Sequence, residues 1–300
     1  MGVLYSYDDG NRLEDVMRMV VQLSADTTPF MSGIAKTKAS NTLHEWPQDS
    51  LASPADNAKV EGASYSYSTV TAPTRVNNFT QIFDKTFHVS STERWVKGAG
   101  VDDQYSYQQV KAMKELARDI EHALLRGSKS SGTGSAARRM AGAINFITTH
   151  TTAVASGTKL TESFYNGLLE LVWGTHEAEC DEVYVGARLK RIISGYTAGS
   201  TKQTQADDRS LTNVVDVYTS DFGTQKIFKH RDIPNASVGC TILCIASDKF
   251  KMAIGEPVHE IGDVAQDTHG TKGVLRGELT LEVLAESYCV TATALDNVFP

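Results

Sequence analysis

Two His–Glu dipeptides, His44-Glu45 and His259-Glu260, are the residue pairs in this chain best suited to metal-assisted hydrolysis. A zincin site needs a second histidine three places after the glutamate, so that both imidazoles share a helix face and hold one metal ion. Gln48 and Asp263 stand at those places, so each dipeptide reads as a surface or strand pair. No Gly-x-Ser-x-Gly occurs, so no nucleophile elbow is signalled. Gly127, Gly132 and Gly134 lead to no Lys-Ser/Thr at P-loop spacing, and Lys272 in HGTKG (269–273) lacks a preceding phosphate cradle. Asp221-Phe222-Gly223 repeats the kinase metal-binding tripeptide without its companions and is expected to make a turn.

Cys180, Cys240, Cys244 and Cys289 sit in or beside apolar runs. Cys240 and Cys244 would share a strand face, which is half of a metal site, but no second Cys or His pair stands at zinc spacing. Buried reduced thiols are the expected state. Met1-Gly2-Val3-Leu4-Tyr5-Ser6 fits the myristoylation pattern, yet Asp8 and Asp9 would oppose an anionic lipid surface. Asn78-Phe79-Thr80 and Asn235-Ala236-Ser237 are formal glycosylation acceptors, expected bare because no signal peptide core is evident. No catalytic residue, cofactor or metal is therefore expected.

The elements that must position these residues belong to a folded chain. It has 300 residues, 41% hydrophobic and 22% charged, with 29 Lys+Arg against 36 Asp+Glu and a net charge of −7. That composition excludes disorder as the main state. No apolar run is long enough to span a membrane. An isoelectric point of about 5.6 argues against a nucleic-acid binder driven by net positive charge.

Leu13, Val16, Met17, Val20 and Val21 mark one face of an amphipathic helix over 11–23, stopped before Pro29. Residues 41–75 are poor in large apolar side chains (Leu43, Trp46, Leu51, Val60, Tyr65, Tyr67 and Val70) and hold Pro47, Pro54 and Pro73. They cannot build a core alone. In the next run, Phe79, Phe83, Phe87 and Val89 alternate onto one face. A long two-stranded hairpin follows, with Ser64–Ser68 feeding its return strand, and such a hairpin must lean on something else.

Residues 104–126 carry the strongest helical period, with Val110, Met113, Leu116, Ala117, Ile120 and Leu124 on one face. Asp102 or Asp103 can cap its start, and Gly127 follows its end. From His122 to Thr161 there is no acid, but there are Arg126, Lys129, Arg138, Arg139 and Lys159. This basic island can meet phosphates, pair with a neighbouring subunit's acids, or keep a loop solvated; a structural role is expected. Further on come a helix capped by Thr161, a strand at 181–186, a helix at 187–196, a polar loop at 198–210, a hairpin around Asp221-Phe222-Gly223, and strands at 241–247, 274–284 and 288–295. The element order is α+β.

That order, with the strings TPFMSGIAK (28–36), HEWPQDSLASP (44–54), EGASYSYSTVTAPTRVNNFTQIF (61–83), VSSTERWVKGAG (89–100), YQQVKAMKELARDIEHALLRG (107–127) and RRMAGAINFI (138–147), resembles the tailed-bacteriophage major capsid proteins with the Hong Kong 97-type fold. The resemblance implies an N-terminal arm (1–40), an E-loop hairpin (41–95), a P-domain (96–144 and 251–300) with spine helix 104–126, and an A-domain (145–250). It implies a structural subunit, not an enzyme, that assembles with itself into hexamers and pentamers of an icosahedral virion head around double-stranded DNA in the host bacterial cytoplasm. Portal and scaffolding or decoration proteins would be further partners, with no sequence-specific DNA contact and no membrane. Scaffolding would be a separate protein or already removed. Trp46, Leu51, Lys59, Glu61, Tyr65, Tyr67, Arg75, Phe79, Arg94, Arg138 and Arg139 are the residues expected at contacts between subunits. Some relatives crosslink an E-loop lysine to an asparagine; Lys59 is the one lysine between 39 and 84, and no crosslink is expected of it.

Two other readings stand beside this one: an encapsulin-like nanocompartment shell with the same architecture, and a soluble α+β enzyme using His44 or His259 with nearby carboxylates. Residues 1–35 set Arg12 and Arg18 against Asp8, Asp9, Glu14, Asp15 and Asp26. Such an arm cannot condense nucleic acid, so a genome would be loaded into a preformed acidic shell.

Overall fold

The computed structural model describes residues 28–296 apart from 66, 68, 97–102, 156, 197–215, 236–237 and 263–268. The amphipathic segment 11–23 and the polar loop 198–210 lie outside the described residues. In chain order the elements are α1 (Pro29–Gly33), β1 (Ala35–Lys38), β2 (Leu43–Gln48), β3 (Thr74–Phe79), β4 (Gln81–Ser90), α2 (Ser91–Trp95), α3 (Gln104–Arg126), α4 (Ala143–Phe146), β5 (Thr151–Ala153), α5 (Glu162–His176), β6 (Glu182–Val185), α6 (Ala187–Ser194), β7 (Val217–Ser220), β8 (Gly223–Lys229), β9 (Val238–Ile245), β10 (Phe250–Glu260), β11 (Gly270–Val283) and β12 (Val290–Asp296). Short 3-10 turns at Ser247–Lys249 and Glu286–Tyr288 precede β10 and β12.

Three sheets are built from them: β1-β10-β11-β4, β5-β12-β9-β6-β8-β7, and the pair β2-β3. The chain forms two compact units. One comprises Phe83–Arg118 with Val258–Arg276; the other comprises Thr28–Ile82, Asp119–Pro257 and the chain from Gly277.

Helix α3 covers the expected span 104–126. Asp103 caps it, accepting from the backbone N–H of Tyr105 (3.1 Å) and Ser106 (3.3 Å). The hydrogen bond from the Ser106 hydroxyl, and those from the backbone, hold the Asp103 carboxyl below its ordinary value. Leu116, Ile120 and Leu124 are buried as their spacing predicts, while Val110 and Met113 on the same face are exposed. The helix ends where Gly127 crosses Gly142. The Gly142 N–H donates to the Gly127 carbonyl at 2.8 Å. A Cβ on Gly142 would stand 2.6 Å from the Gly127 nitrogen, so this crossing requires glycine.

The run 74–90, read as one strand, is two. Thr80 breaks it, its N–H turned to the Thr42 carbonyl at 2.9 Å, so β3 serves the hairpin pair and β4 the four-stranded sheet. Within β4 the alternation holds, with Phe83 and Val89 inward. Ser64, Tyr65 and Tyr67 lie outside any strand, and the return strand starts at Thr74.

The core of the second unit lies between the six-stranded sheet and helices α5 and α6. Leu168, Leu169 and Val172 of α5 and Leu189, Ile192 and Ile193 of α6 meet Val183, Ile242, Cys244, Val290 and Leu295 from the sheet. Thr161 caps α5, accepting from the Phe164 N–H at 3.2 Å. The β7–β8 hairpin turns through Asp221-Phe222-Gly223, where Gly223 takes φ +107°. The segment 251–300 gives its last strand, β12, to this sheet, between β5 and β9.

Candidate subunit interface

The hairpin has a root held by its own chain and a bare tip. Strands β2 and β3 pair from Leu43↔Phe79 to Gln48↔Thr74. Trp46 points inward: its indole N–H donates to the Val283 carbonyl at 2.9 Å, and its ring stacks on Phe146 at 5.9 Å. Gln48 donates to the Leu284 carbonyl at 2.6 Å. Asn78 is wholly buried; its amide donates to the Leu281 (2.8 Å) and Ala141 (3.1 Å) carbonyls and accepts from the Ala141 N–H. A buried amide with every partner satisfied fixes the strand's position and leaves no glycosylation acceptor.

The basic island completes the root. Arg138 donates to the Thr80 carbonyl at 2.7 Å and pairs with Glu278, which also accepts from the Thr80 hydroxyl. Lys129 donates to the Asn77 carbonyl and side-chain oxygen, both at 2.6 Å, and stands over the Phe79 ring. Burial pushes the Lys129 pKa down. The sequence reading puts Trp46, Phe79 and Arg138 among contacts to a neighbour; in the structure each is engaged within its own chain, because the root must be desolvated and anchored before a tip can project. Arg139 is exposed.

Between the strands, the described residues of 49–73 contain no helix or strand. Leu51, Val60, Tyr65, Tyr67 and Val70 are almost fully solvent-exposed, Leu51 at 99% and Tyr67 at 96%. Lys59 and Glu61 are exposed beside them, and Arg75 reaches Glu45 across the pair, at 3.8 Å. In the other unit, Arg94 donates to Thr271 at 2.9 Å and lies over the Tyr105 ring, next to a Trp95 that is 75% exposed.

The candidate chemistry goes to structural partners. His44 bonds Glu282 at 2.9 Å, a carboxylate that also faces Lys251. Glu260 accepts from the Tyr105 hydroxyl and the Gln109 amide, each at 2.5 Å. The bond to Glu260, then burial, pushes the Tyr105 pKa up to about 12. All four cysteines are buried and none forms a disulfide. Burial raises the Cys289 thiol to about 12, so it stays protonated. Among the described residues no three His, Cys, Asp or Glu side chains form a metal cluster, and no helix is long and apolar enough to cross a membrane.

Sequence reasoning missed one buried constellation. Glu121, on the inner face of α3, accepts from the backbone N–H of Phe30 (2.8 Å) and Met31 (2.7 Å) and bonds His230 Nε2 at 2.8 Å. His230 Nδ1 accepts from the Asp232 N–H, so the ring proton sits on Nε2 and points at Glu121. An acid one place after Ile120 on an apolar face was the available signal.

A spine-length helix, a rooted hairpin and two larger sheets define a shell subunit of the Hong Kong 97 type. Solved structures share this fold at low identity: the capsid of the native GTA particle (TM-score 0.68, 10% identity, 97% of this chain and 96% of that one) and a structure from Gordonia phage Cozz (TM-score 0.62, 10% identity, 94% and 91%). The holo-SrpI encapsulin complex of Synechococcus elongatus PCC 7942 also shares it (TM-score 0.62, 12% identity, 95% and 94%). The profile of the SU10 major capsid protein family matches residues 3–296, and the chain belongs to that family, one of structural capsid proteins rather than enzymes. The major capsid protein of Escherichia phage Phieco32 is 33% identical over 123 residues, 41% of this chain. That match spans 35% of the relative's length.

Proposed function

We propose that this chain is the major capsid subunit of a phage head, and that its hairpin tip docks on a neighbouring copy. The exposed tip carries the reading. Five large apolar side chains stand in water on a segment whose two ends are clamped, which is costly unless another surface covers them. Leu51, Tyr65, Tyr67, Lys59 and Glu61 at the tip, with Arg75, Arg94 and Arg139, form the contacts between copies. Many copies associate into capsomers, hexamers and pentamers that close the virion shell. The arm (1–40), E-loop (41–95), P-domain (96–144 and 251–300) and A-domain (145–250) are its working parts. Portal, scaffolding or decoration proteins and packaged double-stranded DNA complete the particle, the DNA held without sequence reading.

Negative-stain microscopy of the purified chain tests this. Closed shells or capsomer-sized rings are expected. Replacing 50–72 by a two-residue Gly-Ser turn, which leaves Trp46 and Gln48 in place, should give a folded subunit that forms neither. A monodisperse monomer from the unaltered chain, even with its scaffolding protein supplied, overturns the reading. The fold shared with an encapsulin supports a second reading, a nanocompartment shell. Shells purified from the native host with cargo protein and no DNA would select it.

A further inference from the structure

His150 lies just before β5, and its carbonyl accepts the Thr291 N–H at 3.0 Å, setting β5 against β12. Its side chain is only 5% exposed. Its ring meets that of His176, the last residue of α5, edge to face with centroids 5.4 Å apart. Nε2 of each ring is closed to solvent and has no hydrogen-bond partner. His176 packs against Tyr288, so the pair joins three elements: the start of β5, the end of α5 and the Glu286–Tyr288 turn. We propose that His150 and His176 form an acid-sensitive latch, closed while the His150 imidazole is neutral and opened when it takes a proton.

The physical reason is the lack of an acceptor. A proton on the His150 Nε2 creates a buried cationic donor beside a second imidazole, with nothing to bond. The nearby carboxylate is committed: Glu286 accepts from the backbone N–H of Thr148 and Thr149 and from both hydroxyls. Burial raises the Glu286 pKa, but these bonds outweigh it and hold the carboxyl below its ordinary value. Lys249 lies over the Tyr288 ring at 5.5 Å but is paired with Asp248 at 2.5 Å. Cys180 and Cys289 are kept neutral by burial, and Glu177 after His176 is exposed. Burial and then the charge of His176 lower the His150 pKa from 6.5, against opposing pulls from Glu286 and the Ser287 backbone. The closed state thus binds fewer protons than the open one, so its stability is present above that value and is lost as pH falls below it.

Hydrogen–deuterium exchange of the full-length chain, corrected for intrinsic rates, tests the latch at about pH 7.5 and 5.5. Peptides over 147–153 and 286–293 should lose protection at the lower pH by up to about tenfold, the factor by which protonation of an ordinary imidazole favours the open state at about pH 5.5 over about pH 7.5. His176→Gln should flatten that response. Equal protection at both values, or an undiminished response in His176→Gln, overturns the proposal. Zn²⁺ that raises protection at pH 7.5 in the unaltered chain but not in His176→Gln would assign the pair to a metal instead and overturns it too. If the variant does not fold, Cε1–H exchange of His150 in the unaltered chain decides: a midpoint below the ordinary imidazole value is expected, and an ordinary one overturns the latch.

Discussion

Replacing Glu121 by alanine removes the acceptor of two backbone N–H groups and the partner of an imidazole in one step. Each buried group left unpaired costs about 1–3 kcal/mol, so Glu121→Ala should lose about 3 kcal/mol or more of stability in urea unfolding. Glu121→Gln keeps an oxygen acceptor and should lose less. Phe30 is wholly buried against the edges of Tyr184 and Phe250, so the same change should loosen the chain where α1 begins. The acid's place on the apolar face was legible in the 3.6-residue period. Its partners were not, because they stand 91 and 109 positions away in sequence and no local pattern encodes such pairs. Tyr105 gives a second test at this scale. Its pKa of about 12 means that its bond to Glu260 holds through ordinary tyrosine ionisation and is lost only as pH rises from about 10 toward that value. Burial also raises Tyr165, Tyr184, Tyr196 and Tyr218, so ultraviolet titration should show several late-ionising phenols, of which Tyr105→Phe removes one with a midpoint near about 12.

The hairpin separates two kinds of aromatic residue that composition alone treats alike. Trp46 belongs to the root, so Trp46→Ala should cost the subunit about 3–5 kcal/mol in denaturant unfolding, whatever its effect on assembly. Tyr65→Ala and Tyr67→Ala together should leave unfolding of the isolated subunit unchanged and abolish shells or rings in microscopy. If the tip pair instead lowered subunit stability, the tip would be packing on its own chain. Helix α3 makes a comparable point: its span was legible because one face repeats over six turns. The split of 74–90 into β3 and β4 was not, because alternation continues through Thr80 while the partner strand changes. Strand β12 was visible as a strand, but a two-residue period says nothing of which sheet receives it. The glycine crossing was half legible. Gly127 marked the helix end, whereas Gly142 matters only because a second backbone passes against it. Gly142→Ala should therefore cost about 1–3 kcal/mol by overpacking, measured as a lower urea midpoint with an unchanged slope.

Charge decides what the whole molecule can do with a genome. Each subunit carries −7, and residues 1–35 are themselves net acidic. The basic island offsets this only in part, because two of its five cations are engaged: Arg138 is paired with Glu278, and Lys129 is bonded to Asn77. In a subunit of net charge −7 with two of the island's cations engaged at the hairpin root, counterion release is a weak drive for assembly. On the proposed reading, contact between copies comes from apolar cover of the tip, which salt strengthens by screening repulsion between acidic subunits. Purified chain should assemble without nucleic acid. Added DNA should neither accelerate closure nor be enclosed, and raising salt from about 50 mM to about 500 mM should hold or increase the yield of shells in light scattering, since the screening length falls from roughly 14 Å to about 4 Å over that range. Assembly that required nucleic acid and collapsed at the higher salt would place binding energy in phosphate contacts, and would return Arg126 and Arg139 to a role the root geometry does not give them.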